Sequence, residues 1–401
     1  MKRMFVFIFV VLIFFAGTMY GASDQVLNLV IEEVGKNVHF KFSLASDGCF
    51  AVSGQVKGKN HVERLWGPSW LTKGTHCITL PASAVAEKSG VAEFFSVDFS
   101  HEFSVGRPGK GERQFVKPMG IGWDNVTKNL YVADTGNDRI VRLDSYGRFV
   151  SQYGGFGVAF GDKTEEKEDS LDEPWDVAPG GFSNFYLSDR NNNRIAEFDA
   201  YKSFKGNLFP KANDLKNRLN RPKGLFVDGE NCIWIADSRA DRVIKVAPSG
   251  EKLLEIGGFG WSQWKFKEPV QVAVDNYGTV FVADRGNRRI QIFDRLGSRI
   301  NEIKDDIKSP VGIAVDNDGL IYVCDDEKNE LSVFSIDGKK LRAISGISSD
   351  DPFRGPCDLV VLDEILYLLD SRNNRIVAFE RKKNSIQVSW ELTDTSKVET
   401  P

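Results

Sequence analysis

The sequence predicts an all-β protein: a six-bladed β-propeller preceded by a small β-sandwich of immunoglobulin type. Two observations carry the propeller. The first is a six-fold echo of proline, short apolar strand, turn, aromatic-bearing strand and aspartate. Its prolines are Pro118, Pro174, Pro222, Pro269, Pro310 and Pro356, and its aspartates are Asp134, Asp189, Asp237, Asp284, Asp325 and Asp370. The second is the spacing of those aspartates, 55, 48, 47, 41 and 45 residues. Periods of roughly 40–50 residues with several short strands per unit mark propeller blades, arranged around a central channel. The sandwich rests on a third observation, an unrepeated run of alternating strands ahead of the first proline.

At 401 residues the chain exceeds one ordinary core, so two domains are expected. Residues 1–23 read as a leader. Lys2 and Arg3 form a positive start, residues 4–16 are unbroken apolar, and Gly21, Ala22 and Ser23 suit cleavage before Asp24. The apolar run is short for a spanning helix, and no cysteine follows it to carry a lipid. The expectation is a cleaved leader, no stable membrane span, and an exported chain that is periplasmic, cell-surface or secreted. The formal charge of −4 becomes −6 without Lys2 and Arg3, which gives no global pull toward nucleic acid.

Residues 24–100 form the expected sandwich, with strands at 26–32, 38–44, 49–56, 76–80 and 92–99 broken by Gly, Asp, Ser and Lys. Residues 61–80, HVERLWGPSWLTKGTHCITL, resemble the middle of the Ig-like domain of flagellar hook-capping proteins and bacterial secretion tails. Pro81, Ala82 and Ser83 stand where that family carries Trp-Asp-Gly. Cys49 and Cys77 fall in this domain, where a disulfide and two separate thiols are alternatives. Cys324 takes a small-residue position in a strand, and no CxxC occurs, which removes zinc and redox cysteine chemistry.

The propeller is expected over residues 101–392, with 393–401 as a tail. Its fourth unit reads PVQVAVDNYGTVFVADRGNRRIQIFDRLGSRINEI: strand a after the proline, b ending in aspartate, c starting at arginine, and d. The glycines of Asn276-Tyr277-Gly278 and Arg295-Leu296-Gly297 suit tight hairpins. This pattern resembles the NHL repeat, with its proline-led strand, YVAD and N-x-R-I, as found in exported bacterial propeller proteins. The resemblance implies six blades and a scaffold that presents loops.

In strand b an aromatic stands three residues before each aspartate: Tyr131, Tyr186, Trp234, Phe281, Tyr322 and Tyr367. One residue before it stands Ala133, Ser188, Ala236, Ala283, Cys324 or Leu369. Equal parity puts both positions on one face, where large beside small lets neighbouring blades interdigitate. Two segments compete to close the ring as strand d of blade 6: residues 103–105, because 102–118 align with 254–269, and residues 385–392.

Strand direction puts the b–c and d–a loops on one face, expected to be the face of long, varied loops where function sits. There Asp-x-x-Asn-x-Arg recurs, as in Asp284, Asn287 and Arg289; it reads as loop closure, with Ala240 and Glu330 as departures. The binding candidates are the variable arginines Arg190, Arg239, Arg285 and Arg372, suited to carboxylates, sulfates or phosphates, together with Trp175, Trp261 and Trp264. Asp325, Asp326, Glu327 and Glu330, with the acidic stretch 162–173, make the rim lopsided. At the second position after each proline stand Gly120, Asp176, Gly224, Gln271, Gly312 and Asp358. Three polar residues in a ring of six are normal for a water-filled channel, and Asp176, Gln271 and Asp358 offer, as the alternative, a carboxylate and amide set to Ca²⁺. No other cofactor is implied.

The expected function is an exported, non-catalytic binding module or assembly scaffold for a protein, peptide or carbohydrate of the cell envelope. The alternative is a metal-dependent lactonase or lyase with its site at the channel mouth. His39, His61, His76 and His101 all precede the first repeat proline, so the repeats hold no imidazole base. Some NHL propellers bind RNA, but the acidic charge and the leader argue against that partner.

Overall fold

The computed structural model describes residues 26–34, 37–44, 48–55, 62–71, 74–81, 89–154, 170–181, 184–199, 203–210 and 217–391. The leader and the tail lie outside these, as do the acidic stretch before residue 170 and the side chains of Cys49 and Cys77 with their disulfide question. Among the described residues no helix is long and apolar enough to cross a membrane. The chain divides into two compact units. One comprises residues 1–99, 335–341 and 382–401, and the other 100–334 and 342–381.

The first unit pairs Val26–Val34 with Asn37–Leu44, and that strand with Gly74–Pro81. A second set pairs Gly48–Gln55 with Val62–Leu71 and with Ser89–Val105. Val38, Phe40 and Phe42 alternate along one strand, Ile78 and Leu80 along its neighbour, and all are buried with Val52 from the second set. That is the period of two of a sheet with one face packed. Residues 62–71 were not expected as a strand; their Arg, Gly, Pro and Ser break the alternation.

The second unit is nearly all β and is a six-bladed propeller. Blades 1 to 5 are consecutive four-stranded antiparallel sheets starting at Gly120–Asp124, Pro174–Pro179, Pro222–Val227, Pro269–Val274 and Pro310–Val315. Blade 6 runs Pro356–Val361, Ile365–Asp370 and Arg375–Glu391, then takes its fourth strand from Ser89–Val105. Each strand a neighbours the next, and that of blade 6 neighbours that of blade 1. The closing segment is therefore residues 103–105, not 385–392, because 385–391 simply prolong strand c. The alignment behind that choice has a physical basis. Pro108 bridges Phe115 as Phe259 bridges Phe266, and both later phenylalanines are fully buried.

All six strand-b aromatics and the small residues beside them are buried, filling the space between blades. At the seam Trp123 of blade 1 stacks on Tyr367 of blade 6 at 5.9 Å, and the Tyr367 hydroxyl donates to the Ser145 carbonyl (2.9 Å).

The b–c loops are not long, as the sequence reading had them. In blades 1, 3, 4 and 6 each is a single 3-10 turn: Thr135–Asn137, Ser238–Ala240, Arg285–Asn287 and Ser371–Asn373. The strand-b aspartate makes this compactness possible. In blade 1, Asp134 accepts from the Val116 N–H (2.7 Å), Asn137 Nδ2 (2.7 Å) and Arg139 Nε (2.8 Å) while fully buried. The arginine is held in turn by the Gly111 and Gln114 carbonyls (2.8 Å each). Blade 5, with Glu330 in place of the arginine, satisfies Asp325 through the N–H groups of Lys308, Ser309, Glu327 and Lys328.

A latch between blades follows from the left-handed residue that ends each b–c turn. Asp138, Asn193, Asp241, Asn329 and Asn374 have φ of 50–55°, a conformation Asn and Asp tolerate best. Their side chains accept the N–H groups of Glu173 (2.8 Å), Arg221 (2.7 Å), Glu268 (2.7 Å), Gly355 (2.7 Å) and Lys117 (2.9 Å) just before the next blade's proline. Arg288 occupies this position in blade 4, and the Ser309 N–H turns to Asp325 instead (3.0 Å).

Candidate functional site

Strand a begins at the proline, so the residue after it stands at the rim of the b–c and d–a face. In blades 2 and 3 these residues are Trp175 and Lys223. The Lys223 ammonium lies 4.7 Å from the Trp175 ring centre, and the Arg190 guanidinium lies 5.0 Å from the same centre. Lys223 is buried, and burial with repulsion from Arg285, Arg190 and Arg239, only partly offset by Glu268, brings its pKa down to about 8. Three of the candidate arginines, from the b–c turns of blades 2, 3 and 4, thus converge electrostatically on one lysine. The sequence reading missed Lys223; its signal was the register it shares with Trp175.

Each arginine has an acidic neighbour. Arg190 pairs with Glu173, Arg239 stands 3.8 Å from Glu268, and Arg285 donates to Ser309 Oγ (3.0 Å) and Asp326 (3.4 Å). Arg372 is 4.0 Å from the same Asp326, which links it to the group. The three pairs to Arg239, Arg285 and Arg372 are long and at least partly open to solvent on the arginine side, a geometry that holds the carboxylate contacts weakly.

Asp176, Gln271 and Asp358 are brought together, buried, beneath this rim. Gln271 Nε2 donates to Asp176 Oδ2 (2.9 Å) and Asp358 Oδ1 (3.3 Å), and its Oε1 accepts the Val272 N–H (2.9 Å). The Leu225 N–H donates to Asp176 Oδ2 and the Ile121 N–H to Asp358 Oδ2, both at 2.8 Å. Polar residues in blades 2, 4 and 6 alternate with Gly120, Gly224 and Gly312, because each lies across a neighbouring glycine. A Cβ on Gly224 would sit 1.9 Å from Gln271 Oε1. Burial raises Asp176 to about 6, and burial with the Asp176 charge pushes Asp358 well above the carboxylate range. Between the two carboxylates stands an amide nitrogen, a donor where a cation needs oxygen. As placed, the trio is a hydrogen-bonded plug.

Trp261 and Trp264 are not part of the Lys223 group. Trp261 is 67% exposed, packs edge-on against Phe259 (5.2 Å), and lines a separate depression of about 480 Å³ with Arg288, Arg289, Glu302 and Lys304. Trp264 is exposed in the same loop. One further cluster of ligand-type groups, Asp228, Glu230 and Cys232, is already bridged by Lys245 Nζ, which reaches Asp228 at 2.9 Å and Glu230 at 3.1 Å.

The NHL repeat family matches residues 266–293 and 308–334. The chain is 37% identical over 81 residues to NHL repeat-containing protein 3 of Homo sapiens, covering 20% of this chain and 23% of that protein. It is 24% identical over 344 residues to NHL repeat-containing protein 2 of Gallus gallus, covering 68% and 46%. The chain spans less than half the length of these curated relatives. Among solved structures it is similar to a gluconolactonase from Xanthomonas campestris, with a TM-score of 0.52, 15% identity, and coverage of 74% and 92%. It is also similar to an auxiliary nutrient binding protein from Bacteroides thetaiotaomicron, with a TM-score of 0.51, 12% identity, and coverage of 90% and 98%. At these identities the likeness is one of fold, and the fold serves both catalysis and binding.

Proposed function

We propose that this chain, a propeller built of NHL repeats, is an exported non-catalytic binding module whose b–c and d–a face docks a protein, peptide or glycan partner. The observation that carries this reading is the placing of Arg190 and Lys223 over the Trp175 ring, with Arg239 and Arg285 near enough to act on the Lys223 charge. Guanidinium forks at such a rim, with an aromatic ring beside them, recognise carboxylate, sulfate or phosphate groups. Export rests on the apolar run of residues 4–16 behind Lys2 and Arg3.

The second reading is a metal-dependent lactonase or lyase, favoured by the pairing of Asp176 and Asp358 in the channel. The buried Gln271 bridge between them weighs against it. The test is capture of partners from envelope extracts and on glycan and peptide arrays by wild type and by an Arg190→Ala/Arg239→Ala/Arg285→Ala/Arg372→Ala variant. Loss of the wild-type set is expected. Identical recoveries would overturn the binding face, and metal-dependent lactone opening by pure protein would replace it with the enzyme.

A further inference from the structure

Lys223 is only 8% exposed, and among the described residues its ammonium has no hydrogen-bond or ion-pair partner, only the face of Trp175. A buried ammonium without a counter-charge is unfavourable. Here the surrounding groups make it worse: Arg190, Arg239 and Arg285 repel it, and Glu268 is the acid that offsets them. Glu268 is itself engaged with Arg239, Glu173 with Arg190, and Asp326 is shared by Arg285 and Arg372. Within this group of residues five cations face three carboxylates, an excess of two positive charges.

We propose that this rim is a binding site for a doubly charged oxyanion of the sulfate or phosphate kind, free or as the terminal group of a larger molecule. Lys223 is its central donor, with Arg190, Arg239 and Arg285 around it. The proposal rests on the reading of this face as a binding surface and gives that surface its ligand chemistry. The excess of cations within this group favours a dianion over a monoanion. The residue types fit it: lysine supplies a compact point charge, and arginine supplies paired donors that match oxyanion edges. The long carboxylate pairs of Arg239, Arg285 and Arg372 can be exchanged for a ligand, while Ser309 Oγ holds Arg285 Nε in place. An arriving dianion supplies the counter-charge that Lys223 lacks, so binding and protonation of the lysine reinforce one another. With Lys223 near 8 when empty, affinity falls as pH rises through that value.

Sulfate titrated calorimetrically into the full chain is the first test, because sulfate keeps its double charge from neutral to alkaline pH. Saturable binding at pH 7 that weakens above pH 8 is expected. Lys223→Met, which puts an apolar chain of similar length in place of the buried charge, weakens sulfate binding by about tenfold or more, the effect of one charged hydrogen bond, and removes the pH dependence. Arg285→Gln gives an independent loss, and acetate binds far more weakly than sulfate. Methyl phosphate binding as tightly as inorganic phosphate identifies a site for an esterified group; binding of inorganic phosphate alone identifies one for a free ion. Absence of saturable sulfate and phosphate binding, or equal affinity in Lys223→Met, overturns the site. If partner capture still fails in the arginine variant, the binding face stands without it.

Discussion

Replacing Asp176 with asparagine should change how the stability of this propeller depends on pH. Asp176 Oδ2 accepts from Leu225 and Gln271, and Oδ1 accepts from Val177. Even so, burial dominates, raising its pKa from 3.8 to about 6. The sign follows from linkage: a carboxyl raised in the folded state binds its proton more tightly there than in the unfolded chain. Its contribution is therefore fully present below pH 4 and is lost as pH rises through 6. A shift of about 2 units at 1.36 kcal/mol each amounts to ~3 kcal/mol in full, of which about 2 kcal/mol falls between pH 4.5 and 8. Other carboxyls carry shifts that are common to both proteins. Asp134, Asp189, Asp237 and Asp284 are raised by burial, and Asp144, Glu255 and Glu302 are lowered by their ion pairs and hydrogen bonds despite partial burial. The informative quantity is thus wild type minus Asp176→Asn, from urea unfolding at each pH. Wild type should lose at least about 2 kcal/mol more than the variant over that span, because Asp358, which the Asp176 charge helps to raise, is raised less once that charge is gone. Equal slopes, or a steeper slope in the variant, would refute the reasoning.

Two more predictions concern how the ring is held. Arg381 is buried between blades 5 and 6, where it donates to Tyr322 Oη (2.9 Å) and the Asp363 carbonyl (2.8 Å) and pairs with Asp316. Arg381→Met strands the Asp316 charge and should cost about 3–5 kcal/mol in urea unfolding, with part recovered by adding Asp316→Asn. Asn374→Ala removes the latch to the Lys117 N–H and puts alanine in a left-handed conformation, a loss of about 1–2 kcal/mol. Faster hydrogen exchange concentrated at the seam between blades 6 and 1 is the readout, and protection unchanged there would count against the latch.

Much of the scaffold was legible in the residues. The prolines, strand-b aromatics and aspartates repeat because each blade solves the same packing problem, so one unit explains the other five. The aspartate–arginine pair was legible for the same reason, and blade 5 shows what happens without it. The compact b–c turns were missed because the aspartate's hold on backbone N–H groups of the preceding d–a loop is a contact distant in sequence. The latch residues were visible as Asp or Asn four positions after the strand-b aspartate, but their partners sit in the next blade.

The sequence by itself determined the blade count, the faces of strand b, and which arginines vary at the rim. These follow from local periodicity and from side-chain types that suit a strand or a turn. Tertiary structure decided which of two segments closes the ring, since both alternate like strands and only pairing separates them. It also decided that Gln271 fills the space between two carboxylates, and that Lys223 stands among three arginines from separate turns. Such meetings depend on how blades wrap around an axis, and the electrostatic field at a point is set by distances through space, not along the chain.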